Sequence, residues 1–113
     1  MSTIKKIEKN GESVDINIQE NKIVVYFESM FHDYCLVIDP NNPTDEIIDF
    51  CQELCTYNAA EIENNGISYG ISYHSDGIEC YQDPADTIIT FDFKLSPDTI
   101  KLIQSIVHTT SRK

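Results

Sequence analysis

Residues 4–18 have the sequence IKKIEKNGESVDINI, and this segment predicts an antiparallel β-hairpin. Asn10-Gly11 lies at its centre, and this dipeptide favours a two-residue type I′ turn because both residues tolerate positive φ. Such a turn places Ile7 opposite Val14. From Val14 onward apolar and polar residues alternate, so one face of the hairpin is predicted to be buried and the other solvated.

Four further segments have the patterns of β-strands. Residues 23–27 and 34–38 are apolar at successive positions, which is typical of a central strand or one covered by helices. Residues 67–73 and 89–95 alternate between apolar and polar side chains, which predicts strands that are half buried. Together with the hairpin, these segments predict a sheet that is mainly antiparallel.

A second hairpin turn is predicted at Asp76-Gly77, because this dipeptide also favours the type I′ conformation. The turn would place His74 opposite Glu79 on the solvated face. A cross-strand pair of this kind contributes about 0.2–1 kcal/mol, so we expect it to support the hairpin without a catalytic role.

The segment that follows Pro43 is predicted to form an amphipathic helix. Asn42 is a favourable N-cap residue, and Pro43 suits the first helical position. Apolar residues recur at helical spacing on one face, while acidic residues occupy the opposite face. This helix is the clearest element in the sequence.

The end of this helix has two possible positions. In the first, the helix ends near Tyr57 and a short edge strand follows at about residues 60–63. In the second, the helix continues to near Asn64. The first is favoured, because the acidic residues of segment 60–63 would otherwise lie at the negative end of the helix dipole.

The last predicted element is a helix that begins at Pro97, with Ser96 as its N-cap and Asp98 in its first turn. The whole pattern predicts an α+β fold, with a mainly antiparallel sheet of about six to seven strands and two amphipathic helices packed on one face. Residues 1–113 are expected to form a single acidic domain. We expect no internal repeat and no linker.

Charge is the strongest signal in the composition. Nineteen acidic and eight basic residues give a formal net charge of −11. Residues 23–93 contain fourteen acidic residues and no lysine or arginine. Such a surface repels nucleic acid and anionic membranes and attracts cationic surfaces. We therefore expect a basic protein partner, and no direct contact with nucleic acid or a membrane.

The sequence favours a cytoplasmic location. It has no run of eighteen apolar residues, and segment 1–9 has three lysines without the apolar stretch of a signal sequence. The four cysteines lack the spacings of a disulfide framework and lie within or beside apolar segments, so we expect all of them to be reduced core residues. They are Cys35, Cys51, Cys55 and Cys80.

Three possible chemical sites in the sequence have simpler structural explanations. Cys51 and Cys55 are one helical turn apart and could share a metal ion, but the same spacing places them on the apolar face. Asp39, Asn41 and Asp45 could bind calcium, but their segment lacks the glycine that a calcium loop needs. No cysteine is predicted beside a histidine, as a catalytic thiolate requires. We therefore predict no catalytic residue, metal or cofactor, with a small enzyme or metal-binding domain as the alternative.

The acidic face of the helix that follows Pro43 is the predicted partner-binding surface. Carboxylates on a rigid helix can engage arginine and lysine side chains that would otherwise hold phosphate groups. Tyrosine is also enriched at binding hot spots. The predicted binding residues are Asp45, Glu46, Asp49, Glu53, Tyr57, Glu61 and Glu63.

Such a surface predicts a non-catalytic protein that binds and neutralises a basic effector. The first hypothesis is an immunity protein against a bacterial toxin, most simply a nuclease. The second is a phage-encoded, anti-CRISPR-like inhibitor of a nucleic-acid-binding defence complex, in which carboxylates mimic the phosphates of nucleic acid. Both hypotheses predict fast association that depends on salt.

Overall fold

The computed structural model describes residues 3–19, 21–30, 32–83 and 87–111. Four strands, a helix, four further strands and a second helix follow one another along the chain. They are β1 (Thr3–Lys9), β2 (Glu12–Ile18), β3 (Ile23–Glu28), β4 (Asp33–Ile38), α1 (Asp45–Tyr57), β5 (Ala59–Asn64), β6 (Ile67–His74), β7 (Gly77–Asp83), β8 (Thr87–Phe91) and α2 (Pro97–Ser111).

The strands form two antiparallel sheets of four strands each. Their orders are β1-β2-β3-β4 and β5-β6-β7-β8, so neighbours in the chain are also neighbours in each sheet. The predicted α+β class, the antiparallel pairing and the two helices are confirmed. Among the described residues the strands number eight and divide between two sheets, whereas the sequence predicted six to seven in one sheet. The division arises because α1 interrupts the run of hairpins between β4 and β5.

The two halves of the chain repeat the same β-β-β-β-α arrangement, so the expectation of no internal repeat is wrong. Segments 7–28 and 62–83 align without a gap, and eight of their 22 residue pairs are identical. The registers between the first three strands of each sheet also agree, residue by residue. The identical pairs are Ile7 and Ile62, Glu8 and Glu63, Asn10 and Asn65, Gly11 and Gly66, Ser13 and Ser68, Ile16 and Ile71, Ile23 and Ile78, and Tyr26 and Tyr81.

The repeat is difficult to detect in the sequence because the spacing changes after the third strand. Phe27 of β3 pairs with Tyr34, seven positions later, whereas its counterpart Gln82 of β7 pairs with Thr87, five positions later. The fourth strand and the helix of each half therefore fall out of step with the first three strands. The strand pairing, rather than the sequence alone, establishes that β4 and β8 are counterparts.

Type I′ turns join the first two strands in each half. Asn10 and Gly11 have φ angles of 53° and 80°, and Asn65 and Gly66 have φ angles of 55° and 81°. The turn predicted at Asn10-Gly11 is confirmed, with the strand register that it implied. Asn65-Gly66 forms a hairpin turn rather than the end of a helix.

The turn predicted at Asp76-Gly77 is wrong by one position. The turn residues are Ser75 and Asp76, and His74 lies opposite Gly77. Glu79 is therefore a diagonal neighbour of His74 rather than its direct partner. Long side chains reach across such a diagonal, and His74 Nε2 lies 2.7 Å from Glu79 Oε1.

Gly77 is explained by packing rather than by the turn. Its φ angle is not positive, so its backbone conformation does not demand glycine. A Cβ atom at this position would lie 2.5 Å from the backbone oxygen of Phe91 in β8. The glycine therefore allows β8 to approach the start of β7 closely.

Both helices begin with a hydroxyl N-cap. Thr44 caps α1 from an extended backbone conformation, so the prediction of Asn42 as the cap and Pro43 in the first turn is wrong by two residues. Ser96 caps α2 as predicted, and its hydroxyl oxygen accepts a hydrogen bond of 3.2 Å from the N–H of Thr99. In the described part of the chain, neither helix is long and apolar enough to cross a membrane.

The C-terminal end of α1 lies at Tyr57, the nearer of the two positions that the sequence allowed. Asn58 follows in the left-handed conformation, with φ 60° and ψ 18°, and its N–H donates to the carbonyl oxygen of Leu54 at 2.9 Å. The carbonyl oxygen of Asn58 accepts the N–H of Tyr73 at 2.9 Å, which ties the helix end to β6. The chain enters β5 immediately afterwards, and this strand confirms the predicted edge strand.

The apolar faces of both sheets and both helices meet in one buried cluster. Ring contacts join the sheets directly, because the ring centroid of Tyr69 lies 5.0 Å from that of Phe27 and 4.9 Å from that of Tyr34. The side chains that alternate with these along the strands face away from the cluster. Each sheet therefore has one buried face and one face that is open to solvent.

Gly77→Ala is expected to destabilise the protein by about 1–3 kcal/mol, because the added Cβ would overlap a backbone atom that cannot swing aside. The free energy of unfolding can be measured by urea denaturation. Ser75→Ala, in the exposed turn two residues earlier, is the matched control and should change stability by less than about 0.5 kcal/mol. Equal stabilities for the two variants would contradict the close approach of β7 and β8.

Candidate partner-binding surface

One face of α1 is a row of carboxylates. Asp45, Glu46, Asp49 and Glu53 are all exposed, whereas apolar residues of the opposite face, such as Cys51, are buried in the core. Because residues three and four positions apart lie on the same side of a helix, burial of the apolar stripe directs the acidic stripe to solvent.

A shallow groove of about 320 Å³ runs between α1 and β5. Phe50 from the helix and Ile62 from the strand are buried residues of its lining, so they form its floor. Carboxylates surround this floor on both sides, three from α1 and two from β5. They belong to Glu46, Asp49, Glu53, Glu61 and Glu63.

Glu53 connects the two sides of the groove. Its Oε1 accepts a hydrogen bond of 2.9 Å from the backbone N–H of Glu61. Successive residues of a strand direct their backbone groups to opposite sides, and this N–H lies on the side of β5 that faces away from β6. The helix therefore covers the outer edge of β5, and a carboxylate satisfies a donor that the sheet leaves unpaired.

Tyr81 extends the acidic surface onto the open face of the second sheet. Its hydroxyl donates to Glu61 Oε2 at 2.5 Å. Burial, this hydrogen bond and the nearby carboxylates of Glu61, Glu53 and Asp83 raise the pKa of Tyr81 to about 12. Gly70 makes room for the ring, because a Cβ at that position would overlap it. Burial is the largest cause of this raised pKa, and the neighbouring carboxylates add to it.

Tyr57 is an exposed aromatic residue at the side of the groove. Its side chain is 73% exposed, and it lines a second hollow on α1 together with Asp49 and Glu53. Since these two carboxylates also line the groove, the tyrosine and the groove form one continuous surface. A tyrosine ring beside carboxylates can stack on an arginine that the carboxylates bind.

The structure brings six of the seven predicted binding residues into this surface. Asp45 is exposed in the first turn of α1 but does not line the groove. The sequence did not predict the contact between Tyr81 and Glu61, because it depends on the register of three consecutive strands. The alternation of Glu79, Tyr81 and Asp83 is the signal that could have placed all three on the open face.

The carboxylates of the groove have no cationic neighbour in the described part of the chain. No lysine or arginine lines the groove there. Lys9 Nζ donates instead to the carbonyl oxygen of Ile88 at 3.3 Å, and Lys94 lines a separate hollow beside His74. His74 does contact a carboxylate, but it is that of Glu79, which lies outside the groove. The negative charge of the groove is therefore uncompensated among these residues.

The arrangement of the carboxylates determines what the groove can bind. Among residues 3–19, 21–30, 32–83 and 87–111, no three His, Cys, Asp or Glu side chains are grouped so that they could hold a metal ion. The carboxylates line two sides of a groove instead of converging on one point. This geometry suits several separate cationic groups better than one metal ion.

The four cysteines are free thiols, but only two of them lie in the core. Cys51 and Cys80 are buried, and burial raises the pKa of each thiol to about 12. Cys35 and Cys55 are exposed, so the expectation that all four are core residues is wrong for these two. Cys35 alternates with the buried Leu36 on β4 and so faces solvent, while Cys55 lies near the end of α1, at the margin of its apolar stripe.

Comparison with known proteins does not assign the chain to a family. No protein-family model, no curated protein and no solved structure matches it. The function is therefore inferred from the chemistry of the surface.

In the native protein, only the thiols of Cys35 and Cys55 are expected to react rapidly with DTNB, because Cys51 and Cys80 are buried and the thiolate is the reactive species. The absorbance of the released thionitrobenzoate should correspond to two thiols, rising to four in guanidinium chloride. The double variant Cys35→Ser/Cys55→Ser should show no fast reaction. A third rapid thiol in the native wild-type protein would contradict the assignment.

Glu61→Gln is expected to lower the pKa of Tyr81 from about 12 towards its ordinary value of 10.0, because the variant removes a carboxylate that disfavours the phenolate. Since burial is the largest cause of the shift, the pKa should stay above the ordinary value. A pH titration of the Tyr81 ring signals by NMR measures the change. Glu63→Gln removes an equal charge from the same strand but keeps the hydrogen bond, so its effect should be smaller; equal effects would exclude a specific contact.

Proposed function

We propose that this protein is a non-catalytic inhibitor of a basic protein effector, and that the groove between α1 and β5 receives arginine and lysine side chains of that effector. The observation that carries this proposal is the set of five carboxylates around a groove with an apolar floor. In the described residues no cation lines this groove. The groove therefore offers hydrogen-bond acceptors and an apolar floor to a ligand. A basic side chain complements both, because it has a charged head and an apolar stem.

A long basic side chain fits both parts of the groove. Its methylene stem can pack on Phe50 and Ile62, while its charged head reaches the carboxylates on either side. Tyr57 offers an aromatic face on which a guanidinium group can stack. The hydrogen bond from the Glu61 N–H already orients the Glu53 carboxylate, so less conformational freedom is lost on binding.

The number of carboxylates matters because single exposed ion pairs are weak. One such pair contributes only about 0.2–1 kcal/mol. Hydrogen bonds to charged groups contribute about 1.5–3 kcal/mol each when water is excluded. The summed free energy of several such hydrogen bonds in one groove reaches the range of specific binding. The electric field of the carboxylates accelerates the approach of a basic partner and makes association sensitive to salt.

The chemistry of the groove supports binding rather than catalysis. Acyl and phosphoryl transfer require donors that stabilise developing negative charge. The groove instead concentrates negative charge on carboxylates. This electrostatic environment opposes an anionic transition state and favours a cationic ligand.

A bacterial toxin of the nuclease type is the effector that this surface suits best. Nucleases hold phosphate groups with arginine and lysine side chains. Carboxylates on a rigid surface can occupy those side chains and so exclude the nucleic acid. In this proposal the protein acts in the cytoplasm as an immunity protein, and it makes no direct contact with nucleic acid.

The double variant Asp49→Lys/Glu53→Lys is expected to weaken binding of the effector by several-fold or more, because two attractive contacts become repulsive. A pull-down from the native host identifies the effector, and isothermal titration calorimetry at two salt concentrations measures its affinity. The wild-type affinity should fall as salt rises, and the variant should lose part of this dependence.

The matched control is Glu8→Lys/Asp92→Lys, which changes the net charge by the same amount at two exposed positions outside the groove. It should bind the effector within about twofold of the wild-type affinity at physiological salt, where distant charges are screened. Equal losses in both double variants would assign binding to net charge alone. An unchanged affinity of the groove variant would exclude the groove as the contact.

The alternative functions predict different results with the same protein. Stoichiometric metal in elemental analysis, or turnover in a broad hydrolase screen, would indicate a metal-binding domain or an enzyme. Capture of a nucleic-acid-binding defence complex in place of a toxin would indicate an anti-CRISPR-like inhibitor.

A further inference from the structure

The outer edges of the two sheets are covered in different ways. α1 covers the edge of β5, where Glu53 accepts the N–H of Glu61. β1 and β8 lie against each other, and Lys9 Nζ donates to the carbonyl oxygen of Ile88. The remaining edge belongs to β4, whose outward backbone groups form no hydrogen bond with any residue that the structure describes.

The pairing of β3 identifies which groups of β4 face this open edge. The N–H of Gln19 donates to the carbonyl oxygen of Lys22, which fixes the turn between β2 and β3. Backbone groups alternate in direction along a strand, so odd-numbered residues of β3 bond to even-numbered residues of β4. The odd-numbered residues of β4 therefore direct their backbone groups outward. They are Asp33, Cys35 and Val37.

Except for the charged Asp33 at its start, this edge lacks the devices that usually protect an open strand. Proteins commonly place lysine, proline or a bulge at such an edge to prevent pairing with another chain. β4 pairs with β3 without a bulge, and residues 34–38 are uncharged and contain no proline. The side chains of Cys35 and Val37 are exposed on its open face. An edge of this kind is a template for an additional strand.

The internal repeat indicates what kind of segment covers such an edge. β8 is the counterpart of β4, and β1 lies against it without pairing with it in one sheet. β1 is an extended segment with the lysine-bearing sequence TIKKIEK. β5, in the second half, is the counterpart of β1, but α1 rather than β4 lies against its edge. β4 is therefore left without the strand that accompanies its counterpart.

We infer that the outer edge of β4 is a docking site for an extended, lysine- or arginine-bearing segment of a partner protein. Asp33 and Asp39 flank the uncharged run and can pair with basic residues at both ends of that segment. A second copy fits poorly, because two antiparallel β4 strands centred on Leu36 would oppose Asp33 and Asp39, and each chain has a net charge of −11. The inference does not rest on the proposed function, because the groove belongs to the other sheet.

The test uses the peptide TIKKIEK, which copies β1, as the probe. It is titrated into the ¹⁵N-labelled full chain and followed by NMR. The amide signals of Cys35 and Val37 should shift and their hydrogen exchange should slow, because their N–H groups acquire acceptors. The exchange measurement uses the wild-type chain and so does not depend on the folding of any variant.

Variants of Val37 test the role of the backbone. Val37→Pro removes one outward N–H and keeps the bonds to β3, so it should weaken peptide binding by at least about threefold, as expected for the loss of one hydrogen bond. Val37→Thr keeps the N–H and the β-branched shape and should bind like the wild-type protein. Equal affinities of these two variants would overturn the inference.

Other outcomes also decide the assignment. Unchanged exchange at Cys35 and Val37 with saturating peptide, or shifts confined to β8 or to the α1–β5 groove, would overturn it. If sedimentation velocity showed a dimer of the wild-type chain that Val37→Pro abolishes, the occupant of the β4 edge would be a second copy of the chain and not a segment of a partner protein. Asp49→Lys/Glu53→Lys should leave the changes at β4 intact, which separates this site from the groove and its proposed function.

Discussion

The left-handed conformation of Asn58 is the constraint on which the acidic surface depends. It ends α1 and lets β5 begin at the next residue, while its own N–H and carbonyl oxygen are satisfied by the helix and by β6. Asparagine adopts this conformation at lower cost than most residues. Because the connection is so short, β5 runs directly beside the last turns of the helix. Glu53 therefore meets the backbone of Glu61, and two acidic segments form the sides of one groove.

The internal repeat distinguishes the scaffold from the surface. Residues common to both halves shape the fold, such as the Asn-Gly dipeptides that form the type I′ turns. Two of the exposed acidic positions of α1 are not acidic in α2. When the helices are aligned on their N-caps, Asp49 and Glu53 of α1 correspond to Lys101 and Ser105 of α2. The same scaffold thus carries an acidic helix in one half and a mixed one in the other, so the fold does not require the acidic face.

Local signals in the sequence predicted the elements that local interactions determine. The Asn10-Gly11 turn, the acidic stripe of α1 and the Ser96 cap each depend on residues within about one turn, and each is found. The Asp76-Gly77 prediction failed because glycine serves either a turn or a close approach, and only the contact with Phe91 distinguishes the two. Features that depend on the pairing of strands far apart in the chain could not be predicted from local sequence patterns. Alternation predicts which face of a strand is buried, but it does not predict which strands share a sheet, so the division into two sheets was missed. The groove likewise requires the position of β5 beside the helix, and the bond of Tyr81 to Glu61 requires the register of β5, β6 and β7.

The acidic groove is unfavourable for the stability of the isolated chain. α1 has two acidic residues in its first turn, where the dipole favours them, but no basic residue in its last turn, whereas α2 has His108 there. Glu53 lies near the negative end of α1, and the carboxylates of Glu53 and Glu61 accept hydrogen bonds from the Glu61 N–H and the Tyr81 hydroxyl, respectively. The helix dipole disfavours Glu53 at this position although its carboxylate satisfies the Glu61 N–H, and positions that break a local rule are commonly functional. A basic partner would remove the repulsion among the carboxylates and the unfavourable interaction of Glu53 with the helix dipole together. Part of the binding free energy would then come from the relief of electrostatic strain in the free protein, in addition to the ion pairs and hydrogen bonds formed with the partner. In the proposed function the charge of the groove serves a cationic partner, whereas carboxylates that served solubility alone could be spread over the whole surface with less repulsion.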